Sequence, residues 1–308
     1  MNLTIMEAYE QYISFVSNKK KPQTMRVLKS RFRCHILPFF TEMLITDITA
    51  SKYLEWQEWI ISKNYSYRYI KGLHASNVAF FDFLITYHGI NKNIPRQVGT
   101  FANNMIRKEK KINVWNKKTF HKFIRNVNEE KYRLFFTLLY KTGLRLGEAC
   151  ALTWNDIDFT NHTLTINKTI SKEYFNGSRV ITPPKTKTSI RTIKLNFILC
   201  IKLKHYMNNY IKNNNDFNNN MFIFGFSKPF APTTIDKKKN KACKLAGIEP
   251  IRTHDFRHSH STNLLEMGVP LSIVSERLGH SRKSTTLDIY THINSTKEKR
   301  AQFMLNLL

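Results

Sequence analysis

No window of the 308-residue sequence approaches the ~20 consecutive apolar residues that a membrane-spanning helix needs. The first residues, MNLTIMEAYEQYISF, also lack the basic start and small-residue cleavage site of a secretion signal, so the expected location is the cytoplasm. Cysteine is scarce. The four present, Cys34, Cys150, Cys200 and Cys243, lie far apart and form no C-x-x-C pair, which argues against a disulfide framework or a zinc site and leaves them as reduced packing residues. Acidic residues are few: 22 Asp and Glu stand against 49 Lys and Arg, for a formal net charge of +27 and an isoelectric point near 10.0. No carboxylate cluster suited to Mg²⁺ is evident. An excess of cations this large calls for a polyanion, and with neither span nor leader the polyanion expected is nucleic acid rather than lipid.

What is present divides the chain in two, as its length allows. Apolar residues recur at spacings of three and four through Met6, Tyr9, Ile13 and Val16, and again through Met25, Leu28 and Phe32. Residues 49–63 begin with capping residues ahead of Leu54, Trp56, Trp59 and Ile60, and residues 65–87 form another aromatic-rich helical stretch. An all-α bundle is expected over residues 1–95, followed by a linker over 96–112 that contains Gly99 and a basic cluster. Residues 113–308 read as a mixed α+β domain. It has helices near 117–127 and 130–142, strands of a small antiparallel sheet at 163–170 and 190–195, and helices again from Pro232 onward. In the first unit Lys19, Lys20, Lys21, Arg26, Lys29, Arg31 and Arg33 follow one another without an acid, so they are the candidate contacts to DNA phosphates; a solvated helix face is the plain alternative.

Four motifs in the second unit carry chemistry-bearing residues. In TGLRLGEACALTW, Gly143 ends a helix and the next begins near Leu146, which puts Arg145 at a helix start, a natural anion site. In THDFRHSHSTNLLEMGV, His254 and Arg257 are three apart and share a face if the segment is helical. In ERLGHSRKSTTLDIY, His280 follows the turn at Gly279, and Tyr290 comes ten positions later. In TPPKTKTSIRTIKL, Lys185 and Lys187 sit near the turn of a basic hairpin. Each residue taken singly has an ordinary reading as a solvated arginine, a satisfied polar histidine, a half-buried tyrosine or a hairpin tip. Their combination and order change that balance.

Together these motifs resemble the tyrosine recombinase family, also called lambda-type integrases, over nearly the whole chain. The family pattern is an arginine in G-L-R-x-x-E, a lysine in a β-hairpin, H-x-x-R, a histidine after L-G and a tyrosine about ten residues on; all five occur here in order. The resemblance implies an N-terminal SAM-like bundle that binds core sites in double-stranded DNA, followed by a recombinase catalytic domain. It implies a homotetramer on paired duplexes and, for a mobile-element integrase, a possible directionality factor. The bundle begins almost at Met1, so an additional N-terminal arm-binding domain is not expected. The apolar end, Phe303, Met304, Leu305, Leu307 and Leu308, could dock on its own domain or on a neighbour.

The residue types suit the chemistry. Transfer of a DNA phosphate to a tyrosine builds negative charge on the non-bridging oxygens, and Arg145 and Arg257 offer permanent charge and paired N–H donors to receive it. His280 would donate to the same oxygens, and Glu148 would support Arg145. Tyr290, whose reference pKa is near 10, needs a base, for which His254 is the candidate. The resemblance assigns proton donation to the leaving 5′ oxygen to the hairpin lysine, here Lys185, with Lys187 as its competitor. No metal, ATP or other cofactor is expected. A type IB topoisomerase and a DNA-binding protein that no longer cuts are the rival readings.

Overall fold

The computed structural model describes residues 3–100, 113–175, 178–184, 186–213 and 215–279. The chain divides into two compact units, Met1–Lys110 and Lys111–Leu308.

The first unit is helical throughout its described residues. Helix α1 (Ile5–Ser17) starts with a reciprocal cap in which Thr4 Oγ1 accepts from the Glu7 amide and Glu7 accepts from the Thr4 amide at 2.8 Å. Helix α2 (Pro22–Arg31) opens on proline, continues into a π-helical turn (Phe32–Ile36) and then the single-turn α3 (Leu37–Phe40). Helices α4 (Ala50–Ser62) and α5 (Tyr67–His88) begin at the side-chain caps Thr49 and Ser66. The apolar periodicity of all four longer helices converges on one core that includes Tyr12, Phe32, Trp56, Leu73, Phe80 and Leu84. Helix α6 (Ile94–Val98) packs on α4 and α5, and beyond it Gly99 O accepts a 2.6 Å bond from Gln57. The start of the stretch expected as linker is therefore a helix of the bundle, while residues 101–112 lie outside the described ones.

The second unit surrounds a core built on α8 (Glu130–Thr142), which presents Leu134, Phe135, Phe136, Leu138 and Leu139 to its neighbours. Around it lie α7 (Lys117–Arg125), α9 (Leu146–Ala151), α10 (Phe197–Asn213), α11 (Pro232–Ala246), α12 (Asp255–Glu266) and α13 (Leu271–Leu278). Helix α12 is buried on most sides, with Phe256 in the aromatic core against Trp115, Phe120, Phe123 and Phe136. The Ser259 hydroxyl accepts the Trp115 amide at 2.9 Å.

Two small antiparallel sheets replace the single one expected. Strands β1 (Ile157–Asp158), β2 (Thr163–Ile166) and β5 (Arg191–Lys194) form one, in that order; β3 (Thr169–Phe175) and β4 (Ser178–Thr182) form the other. The expected strand at 163–170 is thus two strands, broken at Asn167 and Lys168. Lys168 turns to Asp156 and Thr153 instead of joining a ladder. The basic hairpin expected around Lys185 and Lys187 is not one between β4 and β5, which belong to different sheets; Lys187–Ser189 form a 3₁₀ turn between those strands, and Lys185 lies outside the described residues. Among the described residues, β3 and β4 pair antiparallel as consecutive strands.

Candidate active site

Arg145 stands where the sequence placed it, between α8 and α9. Helix α8 ends at Gly143 in the left-handed region, φ +68°, and a Cβ there would lie 2.6 Å from a Leu278 methyl carbon and 2.7 Å from the His260 ring. Glycine is thus needed for both the turn and the approach of α12 and α13. Two residues on, Arg145 occupies the N-cap of α9 with an extended backbone, and Glu148 reaches back to accept its amide at 3.0 Å and its guanidinium at 2.7 Å. The side chain of Arg145 remains 37% exposed, open to a ligand, whereas that of Glu148 is 2% exposed.

Arg257 lies on α12 one turn after His254, which is the N-cap of that helix. Its guanidinium is buried and donates to Gly143 O at 2.9 Å and Leu278 O at 2.7 Å. A third arginine, Arg191 on β5, donates to both carboxylate oxygens of Glu148, at 2.9 and 3.3 Å, and through Nε to Arg277 O at 2.8 Å. Arg145 completes the set with a 3.3 Å bond to Gly279 O. Three successive carbonyls at the C-terminal end of α13, those of Arg277, Leu278 and Gly279, thus each accept from a different arginine. A helix end has unpaired carbonyls and the negative end of its dipole, so this is a physical means of collecting guanidiniums where carboxylates are few.

The electrostatics follow the packing. Burial, and after it the nearby Arg145, lower the Arg257 pKa to about 9, which still leaves it charged at neutral pH. Burial by itself would raise the Glu148 carboxyl; hydrogen bonds from Arg191 and the Arg145 amide, with both positive charges, outweigh it and hold the pKa below its ordinary value. His254 has an edge in solvent, yet desolvation by its packed surroundings, followed by His258 and Arg257, lowers it to about 4. It is neutral at pH 7 and able to accept a proton. His260, deeper in α12, is lowered to about 3, mainly by burial and then by Arg277. Its Nδ1 lies 3.0 Å from Tyr140 O, an acceptor, so Nδ1 carries the proton and Nε2 accepts the Arg277 Nε–H at 3.2 Å.

The structure therefore brings Arg145, Glu148, His254 and Arg257 to one place. Lys185, His280 and Tyr290 lie outside the described residues, although Gly279, the residue before His280, belongs to the cluster. The turn after Lys185 also abuts it: a Cβ on Gly279 would lie 2.9 Å from Thr188 O. Sequence reasoning missed Arg191, His260 and Arg277. For Arg191 a signal existed, because Ile193 and Leu195 set the inward phase of β5 and Arg191 falls on it.

In the first unit, Lys19, Lys20, Lys21, Arg26, Lys29 and Arg33 are exposed, and Lys19 Nζ sits 3.7 Å from the centre of the Phe15 ring. Arg31 is half-buried: it donates to Ser76 Oγ at 3.1 Å and lies so close to Gly72 that a Cβ there would be 2.4 Å from its guanidinium. None of the seven forms an ion pair among the described residues.

Residues 112–297 match the model of the phage integrase family, and residues 4–60 match that of the phage integrase N-terminal SAM-like domain. The chain belongs to the phage integrase family. Among its relatives, the ICEBs1 integrase of Bacillus subtilis (strain 168) is 28% identical over 295 residues, which cover 94% of this chain and 78% of the relative. The tyrosine recombinase XerC of Pediococcus pentosaceus is 35% identical over 164 residues, covering 53% of this chain and 49% of that protein. Among solved structures, the Tn1549 transposon integrase in complex with transposon right end DNA superimposes with a TM-score of 0.76 at 22% identity, over 97% of this chain and 99% of that one. A lambda integrase dimer bound to a COC′ core site gives 0.68 at 16% identity, over 93% and 77%. At these identities the structural likeness establishes the fold: a SAM-like helical domain followed by a mostly helical catalytic domain with small antiparallel sheets. No helix among the described residues is long and apolar enough to cross a membrane.

Proposed function

We propose that this integrase-family chain is the site-specific recombinase of a mobile element, and that it cleaves and rejoins double-stranded DNA through a 3′-phosphotyrosyl bond to Tyr290. The observation that carries the reading is the arginine cluster: Arg145 and Arg257 come together at the junction of α8, α9, α12 and α13, where Glu148 pairs with Arg145 and acts on Arg257 through its charge. Such a site is short of negative charge and suited to a phosphate.

In this reading Arg145 and Arg257 hold the non-bridging oxygens of the scissile phosphate, and His280 adds a third donor. Neutral His254 takes the phenolic proton as Tyr290 Oη attacks phosphorus. The bond from phosphorus to the 5′ oxygen breaks, and Lys185 protonates that oxygen. Phosphodiester energy is kept in the phosphotyrosyl bond, so a second strand's 5′ hydroxyl can reverse the step without ATP or a metal. Pairing two sites requires four protomers, with which a directionality factor could associate, and the work takes place on DNA in the cytoplasm. The exposed bases Lys19, Lys20, Lys21, Arg26, Lys29 and Arg33, with Arg31 beside them, would contact phosphates of the core site.

The test uses a nicked duplex whose broken strand lets the cleaved end diffuse away and traps the covalent complex. Its sequence is the site enriched from a random library by the chain itself. The chain should be trapped on this duplex in the presence of EDTA and not on unrelated duplexes. Trapping on arbitrary sequences would favour a type IB topoisomerase, no trapping a protein that only binds, and loss of trapping in EDTA a metal-dependent reaction.

A further inference from the structure

We infer that Arg191 is a positioning residue for phosphoryl transfer: it sets the geometry of Arg145 through Glu148 and ties β5 to the end of α13 that holds all three arginines. The inference rests on the function proposed above and assigns Arg191 no contact with DNA.

The Arg191 side chain is 7% exposed. Arg191 Nη2 donates to Glu148 Oε2 at 2.9 Å, and Nη1 to Oε1 at 3.3 Å and to Ser189 O at 2.9 Å; Nε donates to Arg277 O at 2.8 Å. These four bonds use four of the five guanidinium N–H donors and turn the group inward rather than toward a ligand. Glu148 in turn receives the amide and guanidinium of Arg145 on the same two oxygens. A carboxylate with four donors has one orientation, and that orientation fixes how the half-exposed Arg145 is presented. The bond to Arg277 O acts on the other arginine: it anchors the carbonyl just before Leu278 O and Gly279 O, which accept from Arg257 and Arg145. The bond to Ser189 O joins the turn that begins at Lys187 to the same point. Arg191 thus ties together three segments of the cluster, α9, the turn at 187–189 and the α13 end. A lysine would keep the charge but has no planar fork to satisfy Glu148 and Arg277 O together.

The test compares the full-length wild type with Arg191→Lys on the nicked duplex, recording the single-turnover rate of covalent complex formation as a function of DNA concentration. The maximal rate should fall roughly 10- to 100-fold, as small misplacements of catalytic groups do. The half-saturating DNA concentration should change by less than about twofold, because no phosphate contact is lost. An unchanged maximal rate overturns the inference, and so does a loss that appears only as weaker DNA binding, which would make Arg191 a phosphate contact. If Arg191→Lys fails to fold, Glu148→Gln, isosteric at the shared partner, carries the same expected split and the same contrary outcomes. Absence of any adduct from the wild type would overturn the proposed function and this inference with it; wild-type trapping beside an equally fast Arg191→Lys would overturn this inference alone.

Discussion

Arg145 and Arg191 share the Glu148 carboxylate, Arg257 lies within reach of its charge and of theirs, and Arg277 adds a further charge beside Arg191. Two like charges 4 Å apart repel by about 4 kcal/mol at an effective dielectric near 20, so the arrangement needs compensation. Charge-assisted hydrogen bonds of about 1.5–3 kcal/mol each, to Gly143 O, Arg277 O, Leu278 O and Gly279 O, offset repulsion of that size. They leave a net positive site, which a phosphate would neutralise. The leaving group poses a separate question at this scale, since an alkoxide departing from phosphorus needs a proton and a thiolate does not. Lys185→Ala should therefore cleave an ordinary site very slowly and recover most of its rate on a 5′-phosphorothiolate site, whereas Arg145→Ala should not be rescued. Rescue of Lys187→Ala in its place would move the acid by two residues; rescue of neither would remove lysine from that role. The individual residues were legible to different degrees. Arg145, Glu148, His254 and Arg257 could be read because short motifs fix them at helix starts. Arg191 was legible only in part, because the phase set by Ile193 and Leu195 turns it inward but nothing local marks which groups it meets there.

At the scale of elements, α12 and α13 are joined by a histidine that must stay neutral. His260 donates from Nδ1 to Tyr140 O and accepts from Arg277 at Nε2, so a proton on Nε2 would set two donors against each other. Its folded pKa of about 3 lies below the unfolded value of about 6.5, and the unfolded chain therefore binds the extra proton first as pH falls. The stabilisation is fully present above about pH 6.5 and is lost as pH falls toward 3, at up to about 1.4 kcal/mol per pH unit. Urea unfolding at pH 7 and pH 5 should show a smaller acid-induced loss in His260→Asn than in the wild type. Equal losses in the two proteins would show that His260 already binds its proton in the folded state. The helices themselves were readable from periodicity and caps, as at α4, α5, α8 and α11. The sheet was read in part: β2 and β5 pair antiparallel where strands were expected, and the second sheet was missed. Alternation ran through Asn167 and Lys168 and concealed the break between β2 and β3, and attention to the basic residues at 185–187 left the β3–β4 pair unread.

For the whole molecule, charge and motif order conveyed more than any one element. The excess of 49 basic over 22 acidic residues pointed to a polyanion, and the order Arg, Lys, His-x-x-Arg, His, Tyr distinguished strand transfer from simple binding. How β5 closes the cluster could not be read, because that depends on tertiary packing between segments up to 86 residues apart, as in the Arg191 bond to Arg277. In the proposed reaction one tyrosine oxygen becomes bonded to DNA. The most direct measurement is denaturing electrophoresis of the chain with its nicked site, followed by mass spectrometry of the adduct after nuclease digestion. The wild type should carry a 3′-phosphonucleotide on Tyr290, and Tyr290→Phe, which loses one oxygen and little volume, should bind the same duplex and form no adduct. An adduct formed by Tyr290→Phe, or one mapped to another residue of the wild type, would contradict the account.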